Sequence, residues 1–205
     1  MSSIPHIKNC QSIIAGLIKK DIETNKNFKS LAPGVCIKDV ASYSLNSGKR
    51  LRPMITYSIS KSKHFSLFIE YVHNSSLIVD DLPCMDDDSQ RRGQPTVHVK
   101  YGEYTAQLMA YNLMITAMKH LADGFSEIRN AKLYTEKEYD ILYSKINEEI
   151  STNLGYHGIC GGQYLDLLIC SDQNSQNQSP RVKKELLMKI IKLKTGCLFL
   201  SLIHI

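Results

Sequence analysis

Residues 65–88 read FSLFIEYVHNSSLIVDDLPCMDDD, an apolar segment that runs directly into five aspartates. Apolar residues recur at helical spacing over 65–82, so the first carboxylates, on Asp80 and Asp81, stand at the core-facing end of a buried helix. The helix dipole is negative at that end and disfavours further anions by about 0.3–1 kcal/mol, so these carboxylates need a cation. Oxygen ligands of this kind suit Mg²⁺, which proteins hold through one or two carboxylates together with substrate phosphates.

The helix face that carries Asp80 also carries His73, seven residues earlier. Residues seven apart differ by only about 20° around a helix. A histidine on an apolar face is explained equally well by a buried structural role and by ligand binding, and both explanations stay open. For the acids themselves, a solvated loop is the ordinary alternative, but it fits poorly where carboxylates follow buried residues without a break.

The rest of the chain has the pattern of one helical domain over residues 1–205. The 205 residues are 43% hydrophobic and 22% charged, which is enough apolar content for a single core. Strand alternation is scarce. The predicted helices cover 7–24, 37–45, 53–60, 65–82, 104–122, 136–154, 161–170 and 181–204. The predicted fold class is therefore all-α, an antiparallel helical bundle.

Composition argues against several other classes of protein. No segment approaches the roughly 20 apolar residues of a membrane span. The first residues lack a signal-peptide core, so we expect a cytoplasmic protein, or one of an organelle lumen, without a clear targeting segment. Six scattered cysteines form no CxxC pair and indicate reduced thiols. The net charge of +5 is spread along the chain, so no nucleic-acid partner is expected.

Basic turns occur on both sides of the acids in the sequence. Arg91 and Arg92 follow them in a turn rich in Gly and Pro, and Lys49 and Arg52 stand in a second turn far upstream. Guanidinium groups bind phosphate through two parallel hydrogen bonds, and an ammonium group binds it as a point charge. Each turn alone is an ordinary surface feature. Together with the acids, the two turns predict a metal-bridged diphosphate.

Two later segments also depart from a plain helical pattern. Lys194 occupies the apolar stripe of the last helix, although a lysine whose stem lies along apolar surface gives the same pattern. Residues 155–166 contain four glycines, each of which costs a helix up to about 1 kcal/mol relative to Ala. The missing side chains allow another helix or a ligand to approach closely. Gln163 and Asp166 then share a helix face, either as ligand-binding groups or as a structural pair.

Four ordered motifs carry a family resemblance: SGKRLRP at 47–53, SLIVDDLPCMDDD at 76–88 with RRGQPT at 91–96, GGQYLDL at 161–167 and KTG at 194–196. The chain resembles the trans-isoprenyl diphosphate synthases (polyprenyl synthetases) of the farnesyl and geranylgeranyl diphosphate synthase type. The resemblance implies the isoprenoid synthase fold. It also implies a magnesium-dependent prenyltransferase of isoprenoid biosynthesis, with isopentenyl diphosphate and an allylic diphosphate as substrates. A homodimer, or a heterodimer with a related synthase, is expected.

The resemblance also implies a role for each motif position. The Mg²⁺ that bridges the allylic diphosphate would be bound by Asp80, Asp81 and Asp86. The diphosphate of isopentenyl diphosphate would be held by Lys49, Arg52, His73 and Arg92. The allylic diphosphate would be held by Arg91, Gln163, Lys194 and Thr195. Of all these, the catalytic residues would be Asp80, Asp86 and Lys194.

Ser75 and Ser76, one turn before Asp80, bear on product length. Family members that stop at farnesyl diphosphate often place an aromatic ring at about this depth. Serine leaves the space open, which predicts geranylgeranyl diphosphate or a similar short-chain product. The alternative is that both serines face a neighbouring helix and do not affect the product.

The chain departs from the family in one major respect. The family's second aspartate-rich motif, which follows the position of 194–196, does not occur before Ile205. The sequence is therefore predicted to be C-terminally incomplete, the N-terminal two-thirds of the domain. The competing hypothesis is a non-catalytic, C-terminally shortened subunit that binds and modulates a full-length synthase. The intact first acidic motif favours the enzyme over this subunit. A terpene cyclase also uses an aspartate-rich motif with Mg²⁺, but it would not explain the two basic motifs.

Overall fold

The structure, a computed structural model, describes residues 4–32, 36–46, 48–171 and 180–197. The helices in these ranges are α1 (Ile4–Thr24), α2 (Ile37–Leu45), α3 (Leu51–Ser60), α4 (Lys63–Asp80), α5 (Val97–Tyr101), α6 (Glu103–Asn130), α7 (Glu136–Leu154), α8 (Ile159–Ser171) and α9 (Pro180–Ile190). A short 3-10 turn, Lys26–Phe28, follows α1, and a π-helical segment, Ile191–Gly196, follows α9. Two strands of two residues each, β1 (Gln90–Arg91) and β2 (Gln94–Pro95), form an antiparallel hairpin. The predicted all-α class is confirmed.

Several element boundaries differ from the sequence-based prediction, for local reasons. The helix predicted over 104–122 continues to Asn130, because Phe125 is buried and Gly124 packs against the ring of Phe65. A Cβ at Gly124 would lie 2.7 Å from that ring. The helix predicted over 161–170 begins two residues earlier, at Ile159, so that Gly161 and Gly162 lie inside it. The hairpin was not predicted, since strands of two residues are too short to show alternation.

The chain forms two compact units, Met1–Glu127 and Ile128–Ile205. The first unit is built around α4, which packs against α1, α2 and α3. This helix begins where the Ser62 side chain accepts a hydrogen bond from the Phe65 amide, and it is buried along most of its length. Phe65, Phe68 and Tyr71 are each at most 2% exposed. Burial on several sides explains why the apolar residues of α4 are not confined to one stripe of the helix.

The second unit contains α7, α8, α9 and the π-helical segment. A capping box starts α7, in which the Thr135 and Glu138 side chains bond to each other's backbone N–H groups. Glycines in α8 allow the π-helical segment to pack closely. A Cβ at Gly162, for example, would lie 2.5 Å from the backbone nitrogen of Lys194. Among the residues that the structure describes, none of the helices has the length and apolar character needed to span a membrane.

A buried ion pair joins the basic loop before α3 to the middle of α4. The Arg50 guanidinium donates to the carboxylate of Glu70 and to the carbonyl oxygen of Leu45, at the end of α2. Both charged side chains are at most 6% exposed. Arg50 has a φ of 55°, in the left-handed region that non-glycine residues seldom adopt. The pair therefore holds a strained backbone position and fixes the direction in which the loop enters α3.

Removing one charge from this pair should destabilise the protein strongly. In Glu70→Gln the Arg50 cation stays buried without a counter-charge, and we expect the free energy of unfolding to fall by about 3–5 kcal/mol. Glu136→Gln is the matched control, because its ion pair with Arg129 is exposed on both sides and should change stability little. Urea denaturation followed by circular dichroism measures both variants. Equal effects of the two substitutions would contradict this account of the fold.

Candidate diphosphate and metal site

The aspartate-rich segment forms a tight turn at the C-terminal end of α4. The Asp86 amide donates to the Asp80 carbonyl at 2.9 Å, and the Met85 amide donates to the Leu82 carbonyl at 2.8 Å. Pro83 and the carboxylates after Met85 are exposed, whereas Asp80 is half-buried. The turn therefore brings Asp80 and Asp86 next to each other in space, although five residues separate them in the sequence.

The third predicted metal ligand, Asp81, is bound to Arg91. The Arg91 Nε donates to both carboxylate oxygens of Asp81, at 2.8 and 3.0 Å, and its Nη2 lies 2.6 Å from Oδ1. Asp81 is only 4% exposed. The hydrogen bond to Asp81 raises the pKa of the Arg91 guanidinium. Two groups that the sequence assigned to the metal and to the allylic diphosphate thus neutralise each other in this structure.

The side chains of Arg91 and Arg92, in the hairpin β1–β2, contact different parts of the protein. Arg92 and Gly93 form its two-residue loop, with φ values of 55° and 76°. Two positive φ values in succession are typical of the type I′ turn of tight hairpins. Arg91 reaches Asp81, while the Arg92 guanidinium lies against Gly48, where a Cβ would come within 2.8 Å of it. Glycine at position 48 is therefore needed for this close approach.

A basic cavity of about 460 Å³ lies beside the middle of α4. Its lining includes the four residues predicted to hold the diphosphate of isopentenyl diphosphate: Lys49, Arg52, His73 and Arg92. They come from the loop before α3, from α3, from α4 and from the hairpin, and the structure brings them together. Arg50 and its partner Glu70 also line the cavity, and the three further cations predict an anionic ligand.

His73 is neutral in this cavity. Its Nε2 lies 3.3 Å from the Arg52 Nη1, and the ring must therefore accept a hydrogen bond there. Burial, followed by the positive charges of Arg52 and Arg92, lowers the pKa of His73 to about 3. Burial is also the main reason why the pKa of Arg52 lies below its usual value, and the neighbouring Arg92 acts in the same direction. An anion in the cavity would relieve this repulsion.

The remaining predicted ligands lie in the second unit. Lys194 donates from Nζ to the Asp166 carboxylate at 2.8 Å, and both side chains are partly exposed. Gln163 is buried at the glycine-rich start of α8, and Thr195 is exposed in the π-helical segment. The sequence singled out Asp166 as a neighbour of Gln163 but did not identify it as the partner of Lys194, since no local pattern links residues 28 positions apart.

The structure places the two chain-length residues differently from each other. Ser75 is buried, and its hydroxyl donates to the Ala110 carbonyl of α6 at 2.8 Å. The Ser76 hydroxyl donates to the His73 carbonyl within α4 at 2.9 Å. Ser75 thus faces a neighbouring helix, as the alternative explanation required for both serines, while the hydroxyl of Ser76 bonds within its own helix.

Comparison with known proteins identifies the family. The model of the polyprenyl synthetase family matches residues 35–205. The chain belongs to this family. Over 166 residues it is 34% identical to a geranylgeranyl diphosphate synthase of Pantoea ananas, an alignment that covers 76% of this chain and 49% of that protein. Over 135 residues it is 40% identical to a farnesyl diphosphate synthase of Buchnera aphidicola, covering 61% of this chain and 44% of the relative.

Solved structures show the same fold. A geranyltransferase from Legionella pneumophila matches with a TM-score of 0.71 and 26% identity, over 97% of this chain and 68% of that one. An isoprenoid synthase family member from Thermotoga neapolitana matches with a TM-score of 0.64. The chain spans about half the length of the curated relatives that it matches. The predicted resemblance and the isoprenoid synthase fold are both confirmed.

The family implies a divalent metal, and the donor set at the end of α4 fits one in chemistry. All three predicted ligands offer carboxylate oxygens, which Mg²⁺ prefers. Among the described residues these aspartates do not form a group with donor atoms within 4.8 Å of one another. Mutual repulsion of the carboxylates and the Arg91 contact of Asp81 account for this spread. Metal binding at this turn therefore requires side chains to rotate and Asp81 to exchange its partner.

The stability of the protein should fall in acid because of His73. Between pH 6.5 and about 3 the unfolded chain binds a proton at this position and the folded chain does not, so stability is present above pH 6.5 and is lost as the pH falls. The wild type should lose up to about 1.4 kcal/mol per pH unit more than His73→Gln in this interval. Denaturation at several pH values measures the slopes. The exposed His157→Gln serves as control and should keep the wild-type slope.

Proposed function

We propose that this chain is part of a prenyltransferase that condenses isopentenyl diphosphate with an allylic diphosphate, with Mg²⁺ bound by Asp80, Asp81 and Asp86. The observation that carries the proposal is the basic cavity, which gathers cations from three separate segments beside the helix that ends in the aspartates. Lys49, Arg52 and Arg92 together give the cavity an excess of positive charge, which favours diphosphate binding. Family membership supports the same chemistry.

The chain's own residues divide the work between two diphosphates. Lys49, Arg52 and Arg92 hold the diphosphate of isopentenyl diphosphate, and the neutral His73 adds a hydrogen-bonding group. Arg91, Gln163, Lys194 and Thr195 are the proposed ligands of the allylic diphosphate. When that substrate ionises, negative charge develops on its leaving diphosphate, and the positioned cations stabilise it. Mg²⁺, when bound, neutralises further charge on the same leaving group.

The proposed product is geranylgeranyl diphosphate or a similar short-chain diphosphate. Support comes from Ser76, whose small side chain lies one turn before Asp80 and whose hydroxyl donates to the His73 carbonyl within α4. Relatives named as farnesyl and as geranylgeranyl diphosphate synthases match with similar identity, so overall similarity does not discriminate between products. Under this proposal, product length is set by the depth of the space that is open to the growing hydrocarbon.

The alternative function is a non-catalytic subunit that modulates a full-length synthase. It shares the diphosphate site but differs in turnover. These residues alone should show little or no turnover, because the chain spans about half the length of its curated relatives. Incubation of a chimera that adds the C-terminal region of a relative, with isopentenyl diphosphate and farnesyl diphosphate, therefore separates the two. Formation of geranylgeranyl diphosphate supports the enzyme. Binding of substrate without turnover, combined with a changed product of an added full-length synthase, supports the subunit.

Mg²⁺ and a diphosphate should bind together, because both draw apart the Arg91–Asp81 pair. Calorimetric titration with inorganic pyrophosphate should give an affinity at least about tenfold higher with Mg²⁺ than without it. Asp80→Asn should abolish this difference. Asp87→Asn is the control: Asp87 is exposed, has no proposed role, and has a φ of 51° that asparagine tolerates. Equal affinity with and without the metal would contradict a metal-bridged diphosphate.

For the protein partner, we propose a second copy of this chain paired along α6. Five apolar side chains on this helix are between 39% and 75% exposed: Tyr104, Leu108, Tyr111, Ile115 and Met118. They follow one another at intervals of four, three, four and three residues, which is the spacing of a seam between paired helices. A stripe of this kind is complementary to itself, because antiparallel copies present the same apolar surface to each other.

Charges introduced into this stripe should separate the dimer. Leu108→Glu combined with Ile115→Glu places two carboxylates in the seam, and we expect sedimentation equilibrium to show monomers where the wild type shows dimers. Leu133→Glu, at a residue 76% exposed and outside the stripe, is the control and should leave the dimer intact. A monomeric wild type, or a double variant that stays dimeric, would overturn the proposed seam.

A further inference from the structure

A second cluster of titratable side chains lies at the opposite end of α4 from the aspartates. His64 stands in the first turn of α4, and His120 and Asp123 lie on α6. The rise of 1.5 Å per residue separates His64 from Asp80 by about 24 Å along the helix, so this cluster is distinct from the diphosphate site. Among the residues that the structure describes, these three are the one set of potential metal ligands whose donor atoms all lie within 4.8 Å of one another.

Each histidine of the cluster faces a carboxylate with its Nε2 atom. The His120 Nε2 lies 3.1 Å from Asp21 Oδ2, and the His64 Nε2 lies 3.4 Å from Glu127 Oε1. Asp21 Oδ2 also accepts a hydrogen bond from the Tyr71 hydroxyl at 2.8 Å. A carboxylate oxygen is an acceptor, so the His120 Nε2 that faces it carries the ring hydrogen. The carboxylate oxygen that faces the His64 Nε2 favours the same tautomer of His64.

With both Nε2 atoms protonated, the two Nδ1 atoms are left as acceptors, and they face each other. The distance between His64 Nδ1 and His120 Nδ1 is 3.0 Å. Two lone pairs at this distance repel each other unless a cation lies between them, either a proton or a metal ion. Asp123 Oδ2 lies 3.8 Å from the His64 Nδ1, on the same side. The site is therefore arranged for a positive charge.

A metal ion suits this arrangement better than a proton does. A shared proton joins two donor atoms, whereas three donor atoms converge here, from two imidazoles and one carboxylate. A carboxylate that orients a histidine through its second ring nitrogen is the usual outer support of a metal-binding imidazole. Lys119 contacts the Asp123 carboxylate at the surface. Both histidines thus have the required tautomer and orientation.

We propose that His64, His120 and Asp123 bind a divalent transition metal of the Zn²⁺ class, with Asp21 and Glu127 as the outer carboxylates. Two imidazole nitrogens and one carboxylate are borderline ligands that suit Zn²⁺ and not Mg²⁺. Tetrahedral zinc at its usual bond lengths places two nitrogen ligands about 3.3 Å apart, so the rings need to separate by only a few tenths of an ångström. Asp123 is partly exposed and leaves a solvent-side position for water.

The ion would join α4 to α6 within the first unit. Both helices already contact there through the Phe65 and Phe125 rings. Because the folded chain presents the ligands together and the unfolded chain does not, binding should stabilise the folded state in proportion to the logarithm of the metal concentration.

Calorimetric titration with Zn²⁺ in excess Mg²⁺ tests the proposal, because Mg²⁺ saturates oxygen-ligand sites. We expect one Zn²⁺ per chain and a rise in melting temperature. Co²⁺ should give the visible absorption of a tetrahedral nitrogen and oxygen site, without the intense thiolate band that cysteine ligation produces. In His64→Gln the affinity should fall at least about tenfold, and in Glu127→Gln, which removes an outer carboxylate, by a smaller factor.

The controls separate this cluster from other sites for zinc. His157→Gln removes an exposed histidine of the second unit, and Asp86→Asn removes a carboxylate of the aspartate-rich turn; both should bind Zn²⁺ as the wild type does. His120 is buried, so His120→Gln could fail to fold; Asp123→Asn, at the surface, provides the second ligand variant. Absence of saturable Zn²⁺ binding, or equal affinity in the wild type, His64→Gln and Asp123→Asn, would overturn the proposal.

Discussion

The buried ion pair between Arg50 and Glu70 determines how the loop before α3 meets α4, and the basic cavity depends on this pair. One guanidinium binds the carboxylate of α4 and the last carbonyl of α2, so three segments are fixed by a single side chain. Lys49 and Arg52 flank Arg50 in the sequence, and its left-handed backbone directs them to the cavity wall. Arg50 therefore has a structural role, and under the proposed function Lys49 and Arg52 bind the diphosphate.

The Arg91–Asp81 pair neutralises two of the groups that the proposed function assigns to a metal and to a diphosphate. The acids at the end of α4 and the arginine of the hairpin neutralise each other, and Asp81 can then be buried at little electrostatic cost. A metal alone would leave the arginine without its carboxylate, and an anion alone would leave the carboxylate without its arginine. Under the proposed function, the metal would neutralise the Asp81 carboxylate and the diphosphate would neutralise the Arg91 guanidinium. Binding of one ligand would then favour binding of the other, and this coupling must be reciprocal.

Sequence reasoning reached the helices because apolar periodicity is a local pattern, and it reached the grouping of four distant residues only through the family resemblance. Apolar periodicity defined α2 and α7 with the bounds that the structure shows. Motif resemblance placed Lys49, Arg52, His73 and Arg92 in one group, and the cavity contains all four. The sequence did not give the Lys194–Asp166 pair, the Arg50–Glu70 pair or the facing histidines. Each joins residues at least 20 positions apart, and such partners are chosen by helix packing, which no short pattern records.

The two-residue loop of the hairpin has a mechanical consequence. Arg91 and Arg92 are adjacent, yet one guanidinium reaches the aspartates and the other reaches the basic cavity. A rigid turn with two positive φ values holds them at a fixed separation. The hairpin thus acts as a spacer between two anion-binding positions, and any displacement of it moves both together. Under the proposed function, this dipeptide would set the spacing between the two substrates, so the length of the turn should be far less tolerant of insertion than that of an ordinary surface loop.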